Sequence, residues 1–556
     1  MAAGEPRTND RLEATVSDDV RGVNPPLLES LAQTAPPVVT RSDLLLSKGE
    51  LTLDVARTTP RESMVADLLA VADALDSASI PYLLIRGNDE RPVLAVQAKS
   101  RKATRRALTA AFADEPFYAK APGEHARLVA DGDAFAGKAR VLRLYRPRLD
   151  RTGHLRYGAG GAVQLEFWRV SNNTIFTPVE NSLTRTTIPR DEIVESTVEL
   201  YGRTWRTIDG MFQPLASDVD FDVDMVFSWV DGTDIEFQRA RAKRMANYVV
   251  GDGDDSEARY RQIDELKYAL RSVWMYAPWV RRIFIATDSP APAWLADDPR
   301  VTIVRSEEFF RNPDDLPTHN SHAVEAQLHR IPGLAEHFLY SNDDMFFGRP
   351  LSPDVFFSPG GVTKFVEAST RVGLGGNDPS RSGFENAARV NRTLLQERFG
   401  RITTRHLEHS AAPLRKSVMF ELEDEFAEAF ARTTASPFRS ATDISVTNSF
   451  YHYYALMTGR AVVQTQARVL YIETTLRSAL KAMRRLLKRR DIDMFCLNDG
   501  SKPEIGVEER TTAVIDFLER YYPFPAPWEK ESHVEVSGGS EAGSASSSEA
   551  LARPVG

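Results

Sequence analysis

The sequence predicts an α/β protein, in which a large domain on a mainly parallel, Rossmann-like sheet with helices on both faces follows a smaller N-terminal module. Three short apolar segments, "DMVFSW", "RRIFIA" and "HFLYSN", are typical of buried strands. Long helix-like segments such as "IDELKYALRSVWMYA" connect them. Strands that alternate with helical segments indicate a mainly parallel sheet.

The N-terminal module is predicted over residues 45–210 as an α/β or α+β unit. "SMVADLLAVADALDSASIPYLLIRG" reads as an amphipathic helix that leads into a strand, and "AVQLEFWRV" has the β-branched and aromatic residues that strands favour. The large domain is predicted over residues 220–530. The polar residues 1–40 and the Gly/Ser-rich residues 532–556 are expected to be disordered.

Composition excludes several classes of protein. The chain has 556 residues, enough for two or more domains, and its net charge of −9 argues against a nucleic-acid binder. Its single cysteine, Cys496, excludes an intramolecular disulfide and cysteine-cluster metal sites. The N-terminus lacks the apolar region of a signal peptide, and no stretch approaches the ~20 apolar residues of a membrane span. We therefore expect a cytoplasmic protein, either free or peripheral at the inner face of the membrane.

Each predicted strand of the large domain is followed by aspartate: Asp231, Asp288 and the pair Asp343–Asp344. Parallel sheets bind ligands beyond the carboxyl ends of their strands, so we expect these side chains to lie close together. A row of carboxylates favours a Mg²⁺ or Mn²⁺ ion that bridges to substrate phosphates, as in nucleotide-sugar enzymes with GT-A-like sheets. The alternative for Asp231 and Asp288 is a turn role, because Asp-Gly and Asp-Ser-Pro favour turns.

A helix is predicted over "SHAVEAQLHRI", residues 321–331. His322, Glu325 and His329 fall at spacings of three and four and so share one face. Their order is not the H-E-x-x-H of zinc proteases. A solvated face or a buried histidine bonded to backbone explains the pattern equally well. Glu325 is the stronger functional candidate, because its helix leads into the strand before Asp344.

Cationic partners are expected near such a site, because carboxylates alone would repel a nucleotide diphosphate. His409, Arg415, Lys416 and Arg439 surround a predicted amphipathic helix downstream. The pattern alone does not distinguish Arg439 from the other arginines.

A second amphipathic helix is predicted over residues 476–490, with Leu476, Leu480, Met483 and Leu487 in one apolar stripe. A solvated basic face on a core-packed helix is one interpretation, and a surface for a phosphodiester-linked polymer or anionic lipid is the other. The cations on its remaining faces are Arg477, Lys481, Arg484, Arg485, Lys488, Arg489 and Arg490.

Taken together, these blocks resemble the Stealth family of sugar-phosphate transferases, and most closely its actinobacterial exopolysaccharide phosphotransferases. The family also includes the catalytic subunit of the lysosomal GlcNAc-1-phosphotransferase. We assign "DVDMVFSWVDGTD" to its first conserved region, the stretch from "RYRQIDELK" to "SPAPAWL" to the second, the stretch from "HNSHAVEAQ" to "FRSATD" to the third, and "FCLNDG" to the fourth. The resemblance covers roughly residues 220–525 and does not reach residues 1–210.

The resemblance implies transfer of a hexose or N-acetylhexosamine 1-phosphate from a nucleotide diphosphate sugar, expected to be UDP-linked, to a hydroxyl of a glycan acceptor. A phosphodiester forms and the nucleoside monophosphate is released, in exopolysaccharide or capsule synthesis. The implied metal ligands are Asp343 and Asp344. The implied catalytic residues are Glu325, Asp344, His409 and Arg439, and the implied donor-binding residues are Asp224, Asp231, Arg259 and Asp288. His322, on the predicted helix of Glu325, is a further donor-binding candidate.

Two alternatives and several details stay open at this point. A metal-dependent glycosyltransferase would use the same donor but release the nucleoside diphosphate, and a non-catalytic polysaccharide-binding protein would need neither Glu325 nor Asp344. Either Glu325 or His409 could take the proton of the acceptor hydroxyl. A homo-oligomeric state is compatible with the sequence, which does not identify the sugar or the role of the N-terminal module.

Overall fold

We describe the protein from a computed structural model, in residues 41–47, 49–55, 57–245, 263–500 and 502–530. The chain divides into two compact units, the first built mainly on residues 63–151 and 156–212 and the second on residues from 213 onward. The segments predicted to be disordered, residues 1–40 and 532–556, lie outside the described residues. Within the described ranges, no helix has both the length and the hydrophobicity that a membrane crossing requires.

The first unit is an α+β module, so the second of the two predicted classes is the observed one. Its elements are β1 (Leu44–Ser47), β2 (Glu50–Asp54), α1 (Pro60–Ser77), β3 (Tyr82–Arg86), β4 (Pro92–Gln97), α2 (Arg101–Ala111), β5 (Tyr118–Lys120), β6 (Arg127–Leu128), β7 (Val141–Tyr145), β8 (Arg148–Leu149), β9 (Arg156–Tyr157), β10 (Val163–Ser171), β11 (Thr174–Phe176), β12 (Thr187–Pro189), β13 (Glu195–Leu200) and β14 (Arg203–Ile208).

The largest sheet of this unit follows the order β12-β11-β10-β7-β5-β6, with β4 as a parallel neighbour of β10 and β3 paired to β4. Leu68 and Leu75 from α1 and Leu108 from α2 join Leu144 and Leu165 from the sheet in one buried cluster. Fully burying each such side chain stabilises the fold by about 1.5–3 kcal/mol. The two helices therefore cover one face of a mostly antiparallel sheet.

The second unit has the predicted α/β class. Its elements are β15 (Val223–Ser228), α3 (Ile235–Met245), α4 (Glu265–Tyr276), β16 (Ile283–Ala286), β17 (Val301–Val304), α5 (Ser306–Phe309), α6 (Ser321–Glu325), β18 (His337–Asn342), β19 (Met345–Phe347), β20 (Thr363–Phe365), β21 (Glu367–Arg371), α7 (Gly383–Phe399), β22 (Arg405–Leu407), β23 (Ala412–Arg415), α8 (Lys416–Glu425), α9 (Ala427–Thr434), α10 (Tyr451–Met457), β24 (Ala461–Val463), β25 (Val469–Glu473), α11 (Arg477–Arg489), β26 (Met494–Asn498) and α12 (Val507–Tyr521).

The central sheet of the second unit has the order β17-β16-β15-β18-β23. Its first four strands are parallel, and β23 pairs antiparallel with β18 at the edge. The strands are almost wholly buried, which explains why their sequences read as continuous apolar runs rather than alternating ones. The mainly parallel sheet predicted from the sequence is confirmed.

A smaller sheet of order β19-β26-β25 lies beside the carboxyl end of β18. The chain turns from β18 through Asp343 and Asp344 directly into β19, and β19 pairs antiparallel with β26 so that Met345 faces Cys496. The backbone N–H of Leu497 donates to the carbonyl of Asp344 at 3.0 Å. The small sheet therefore fixes the position of the aspartate pair.

The helix predicted over residues 321–331 is shorter than expected. Helix α6 ends at Glu325, and His329 lies in a separate 3₁₀ turn, Leu328–Arg330. The His329 ring is buried and bonds through Nε2 to Glu423 Oε2 at 2.7 Å. His329 therefore does not share a helix face with Glu325, and its role is to join the 3₁₀ turn to α8.

Candidate active site

The carboxyl end of the central sheet collects the predicted aspartates. Strands β15, β16 and β18 are parallel, so Asp231, Asp288 and the pair Asp343–Asp344 all follow strands that end on the same side. Asp343 and Asp344 form the two-residue turn between β18 and β19. The sheet topology thus places the carboxylates where open α/β sheets bind ligands.

Glu325 is buried at the end of α6, and its carboxylate is held by neutral donors. Thr447 Oγ1 donates to Glu325 Oε2 at 2.7 Å, and Asn448 Nδ2 lies 3.4 Å from the same oxygen. Both donors come from a single π-helical turn, Val446–Phe450, which precedes α10. Such turns occur frequently at functional sites, because they re-aim side chains that a regular helix would point elsewhere.

A chain of polar contacts runs from Glu325 to Asp344. The hydroxyl of Tyr340 lies 3.3 Å from Glu325 Oε1 and donates to Asn342 Oδ1 at 2.8 Å. Asn342 Nδ2 lies 3.4 Å from His409 Nε2, which in turn lies 3.8 Å from Asp344 Oδ1. Glu325, His409 and Asp344 are therefore brought together, linked by Tyr340 and Asn342.

Arg439 lies at the start of the helix that carries Glu325. Its Nη2 donates to Ser321 Oγ at 2.7 Å. Burial raises the pKa of Tyr340 well above its usual value and the Glu325 charge adds to this rise, whereas the Arg439 charge acts in the opposite direction. The guanidinium therefore acts electrostatically on the same groups that surround Glu325, and all four predicted catalytic residues fall in one region.

The aspartate pair has the properties of a cation site. Burial raises the pKa of Asp343 well above its usual value, and the charges of Asp344 and Glu265 raise it further. Asp344 Oδ1 is buried and accepts no hydrogen bond from the described part of the chain. Crowded carboxylates without a neutralising partner are costly to bury, and a divalent cation would remove that cost. The residues present therefore fit a hard divalent ion.

A second possible ligand set overlaps with this pair. Ligand atoms of Asp344, His409 and Cys496 all lie within 4.8 Å of one another. Burial raises the pKa of the Cys496 thiol, the Asp344 charge raises it further, and the thiol donates to Asp344 Oδ2 at 3.4 Å. The ligand types separate the two sets, because a hard ion such as Mg²⁺ prefers the carboxylate oxygens of Asp343 and Asp344, whereas a set with histidine and cysteine suits a softer ion such as Zn²⁺.

Asp231 and Asp288 lie at the expected end of the sheet but also have local roles. Asp231 Oδ1 accepts from the backbone N–H of Thr233 at 2.9 Å, and Asp288 Oδ1 accepts from the N–H of Ser306 at 2.8 Å. The turn interpretation therefore holds for one oxygen of Asp231, whereas Asp288 uses one oxygen to hold the first residue of α5. Arg259, the third donor-binding candidate, lies outside the described residues.

The other two donor-binding candidates, Asp224 and His322, are buried. Asp224 is the second residue of β15, at the opposite end of the sheet, and is fully buried. Its carboxylate accepts two hydrogen bonds from Arg281 and one from the N–H of Ala335. His322 is also buried, with Nδ1 at 3.8 Å from Asp443 Oδ2. Asp224 therefore lies away from the carboxyl end of the sheet, whereas His322 is next to Ser321, the partner of Arg439, and stays a prediction for the donor site.

A small cleft opens beside this group. Its lining includes Thr447 and Asn448, which hold Glu325, and Glu408 and Ser410, which flank His409. A molecule in this cleft would therefore approach both candidate bases.

Sequence reasoning missed the residues that connect the catalytic candidates, which are Tyr340, Asn342, Thr447, Asn448 and Cys496. Asn342 and Cys496 lie inside the blocks that carried the family resemblance, so their position was a usable signal. No sequence signal marked Thr447 and Asn448, because nothing in the sequence indicates a π-helical turn.

The chain matches four family models, described as Stealth protein conserved regions 1 to 4, over residues 221–249, 259–365, 408–456 and 484–535. Exopolysaccharide phosphotransferase CpsY of Mycobacterium tuberculosis is 60% identical over 89% of this chain and 92% of its own length. The chain belongs to the Stealth family of exopolysaccharide phosphotransferases. The corresponding protein of Nocardia farcinica is 54% identical over 85% of this chain and 88% of its own length.

The matched regions correct the predicted bounds of the second and third conserved regions and show which region supplies each candidate residue. In this Stealth enzyme the second conserved region extends to residue 365, so it includes residues 319–351, which the sequence analysis assigned to the third. Glu325 and Asp344 therefore come from the second region, His409 and Arg439 from the third, and Cys496 from the fourth. The fold brings these three regions into contact.

A solved galactosyltransferase, LgtC in complex with donor and acceptor sugar analogs, also aligns with the chain. The alignment covers 55% of this chain and 96% of that one at 13% identity, with a TM-score of 0.28. A score this low supports neither a shared arrangement nor a shared activity.

Proposed function

We propose that this Stealth phosphotransferase transfers a hexose or N-acetylhexosamine 1-phosphate from a nucleotide diphosphate sugar to a hydroxyl of a glycan acceptor. The acceptor oxygen forms a bond to the β-phosphorus, and the bond between that phosphorus and the bridging oxygen breaks. The nucleoside monophosphate leaves with the bridging oxygen. The supporting observation is the polar chain from Glu325 to Asp344, which ends at crowded carboxylates that fit a cation beside a diphosphate.

Asp343 and Asp344 would hold the divalent ion, Mg²⁺ or Mn²⁺. When bound, the ion would supply charge neutralisation for the donor pyrophosphate, which is the main requirement of phosphoryl transfer. Arg439 would contribute a second positive charge from the start of α6. Asp231 and Asp288, at the same end of the sheet, would orient the donor through the oxygens that their local hydrogen bonds leave available.

We assign the general base to His409 rather than Glu325. The side chain of His409 is 28% exposed and flanked by residues of the cleft, so an acceptor hydroxyl can reach it. Glu325 is only 2% exposed, and Thr447 and Asn448 already donate to its carboxylate. Glu325 would instead orient Tyr340, Asn342 and, through them, the His409 ring.

Chemical rescue tests this assignment. Added imidazole should restore part of the transfer activity of His409→Gly, because a free imidazole can occupy the vacated space and accept the proton. It should not restore Glu325→Ala. Rescue of neither variant, or of Glu325→Ala by added acetate alone, would place the base elsewhere.

The released nucleotide tests the proposed reaction against glycosyl transfer. Purified protein is incubated with several UDP- and GDP-linked sugars and Mg²⁺ or Mn²⁺, and the nucleotide product is identified by mass. Phosphotransfer predicts the monophosphate. The diphosphate as sole product would instead support the glycosyltransferase alternative.

A further inference from the structure

Helix α11 carries a row of exposed cations along its solvent side. It buries Ala479, Met483, Leu486 and Leu487. It packs against α12 and β25. The remaining faces are polar, and six cationic side chains on them are exposed: Arg477, Lys481, Arg484, Arg485, Lys488 and Arg489. Leu476 and Leu480, which the sequence placed in the buried stripe, are only half-buried.

Four of these cations form a straight ridge opposite the buried stripe. Arg477, Lys481, Arg484 and Lys488 are spaced i, i+4, i+7 and i+11, so they lie within about 60° of arc and extend about 16 Å along the helix. We call these four residues the basic ridge. Arg485 and Arg489 lie beside it.

Among the residues that the structure describes, none neutralises the basic ridge. Of the exposed cations of α11, Arg489 pairs with Asp491, and no carboxylate in the described ranges pairs with the others. Like charges at helical spacings of three and four destabilise a helix. This arrangement in a protein of net charge −9 is therefore unfavourable for the fold alone and is explained by an anionic partner.

Arg490, which the sequence placed among the cations on the polar faces of this helix, does not belong to the exposed set. It ends the helix in a left-handed conformation, and its guanidinium donates to the carbonyls of Arg520 and Tyr521. It is a structural residue.

The ridge begins on the side of the active site. Helix α11 follows β25 after a short connection, and the β25 residue Tyr471 is the register partner of Cys496. The Tyr471 ring lies 6.3 Å from the His409 ring. The first cation, Arg477, therefore lies near the end of β25 closest to Asp344, and the ridge leads away from there.

We propose that the basic ridge binds the phosphodiester-linked part of a growing glycan acceptor and so holds long acceptors at the active site. This inference rests on the proposed function, because that reaction adds one negative charge with each linkage. A linear polyanion matches a linear row of cations in sign and shape. A membrane surface fits less well, since amphipathic helices that bind membranes expose apolar residues, and α11 buries its own.

Binding to long-chain inorganic polyphosphate, a linear polyanion available without knowledge of the acceptor, tests the ridge directly. The variant Arg484→Glu/Lys488→Glu should bind polyphosphate at least about tenfold more weakly than the wild type, with a shallower dependence on salt. Arg484→Gln/Lys488→Gln should show a smaller loss of polyphosphate affinity. This neutral variant keeps the test valid if the charge-reversed variant does not fold. Glucose 1-phosphate, with a single phosphate, should show no dependence on the ridge.

The matched control is Lys102→Glu/Arg106→Glu, which reverses one lysine and one arginine at the same helical spacing on exposed positions of α2. It should leave polyphosphate binding unchanged. Equal weakening by both pairs, or no weakening by either, would overturn the proposal. The ridge variant could also lose binding to phosphatidylglycerol–phosphatidylcholine vesicles and keep its binding to polyphosphate. That result would overturn the proposal and assign the ridge to a membrane.

A kinetic measurement connects the ridge to catalysis. In the transfer assay the ridge variant should raise KM at least about tenfold for long phosphodiester-linked acceptors and leave a monosaccharide acceptor unaffected. Equal effects on both acceptors would contradict an extended binding surface. The polyphosphate measurement needs no turnover, so failure of the proposed reaction and failure of the ridge would be distinguishable.

Discussion

Aspartates at the two ends of the central sheet have opposite electrostatic surroundings. At the amino end, Asp224 is fully buried and its carboxylate is neutralised by Arg281 at 2.6 and 2.9 Å. At the carboxyl end, Asp343 and Asp344 face each other and Glu265, and no cation pairs with them among the described residues except His409 when it is protonated. We expect the aspartate that its own fold neutralises to be structural, and the pair left for an external cation to be functional.

Asparagine substitution at each end gives the largest expected contrast. Asp344→Asn should lower the turnover number by about a hundredfold to a thousandfold, the scale seen when one charge-stabilising group is removed, with little change in melting temperature. Asp224→Asn should lower the free energy of unfolding by about 1–3 kcal/mol, because it removes the buried charge that pairs with Arg281 and leaves that guanidinium only Asp222 and the carbonyl of Gly333. Activity per folded molecule should be retained. Turnover and thermal unfolding are measured on both variants. Loss of stability in Asp344→Asn together with loss of turnover in Asp224→Asn would contradict the assigned roles.

Metal removal tests the carboxyl end directly. Activity should be lost in EDTA and return with Mg²⁺ or Mn²⁺ but not Zn²⁺, because carboxylate oxygens are the expected ligands. Cys496→Ser should leave the Mn²⁺ dependence of turnover nearly unchanged. A strong loss of metal affinity in Cys496→Ser, with Zn²⁺ active, would instead identify Asp344, His409 and Cys496 as the ligands.

Removal of one hydroxyl should test how Glu325 is positioned. Thr447→Val is isosteric but cannot donate to Glu325 Oε2, and we expect turnover to fall by about tenfold to a hundredfold as the carboxylate shifts. Thr447→Ser keeps the donor and should retain most activity. If Thr447→Val and Thr447→Ser had the same turnover, the hydrogen bond would have no role in catalysis.

The smallest expected effect concerns the stability of the π-helical turn in acid. Burial lowers the pKa of His452 to about 4, and its Nε2 bonds the carbonyl of Thr447 at 3.0 Å. Below the ordinary histidine pKa the unfolded chain binds a proton that the folded chain does not, so stability falls as the pH drops from about 6.5 to 4. The loss should reach about 3 kcal/mol at most.

His452→Gln should flatten this pH dependence, measured as melting temperature against pH. The exposed His125 provides the control, because His125→Gln should leave the slope unchanged. An unaltered slope in His452→Gln would show that other groups cause the acid sensitivity.

The sequence predicted the sheet and its functional end because both follow from local pattern. Apolar runs that end in aspartate mark the strands, and parallel strands bring those aspartates to one side. It could not separate Asp224 from Asp344, because the difference lies in a partner, Arg281, that is distant in sequence. It also joined His329 to the helix of Glu325, since the bond to Glu423 that holds His329 in its own turn is a tertiary contact.

The polar chain around Glu325 was not predictable for the same reason. Thr447 reaches Glu325 across 122 positions of sequence, from a π-helical turn that has no recognised sequence pattern. The basic ridge was predictable in composition, because a heptad-like apolar stripe leaves the other faces polar. The exclusion of Arg490 from the ridge was not predictable, because Arg490 ends the helix in a left-handed conformation that turns its side chain into the fold.

The fate of the β-phosphorus tests the central claim most directly. A nucleotide diphosphate sugar labelled at that phosphorus is incubated with a glycan acceptor, the protein and Mg²⁺ or Mn²⁺, with Asp344→Asn as the background. The label should enter the acceptor in a phosphodiester, and Asp344→Asn should lower the rate of this incorporation by about a hundredfold or more. Label that stays entirely in the released nucleotide while sugar enters the acceptor would contradict it.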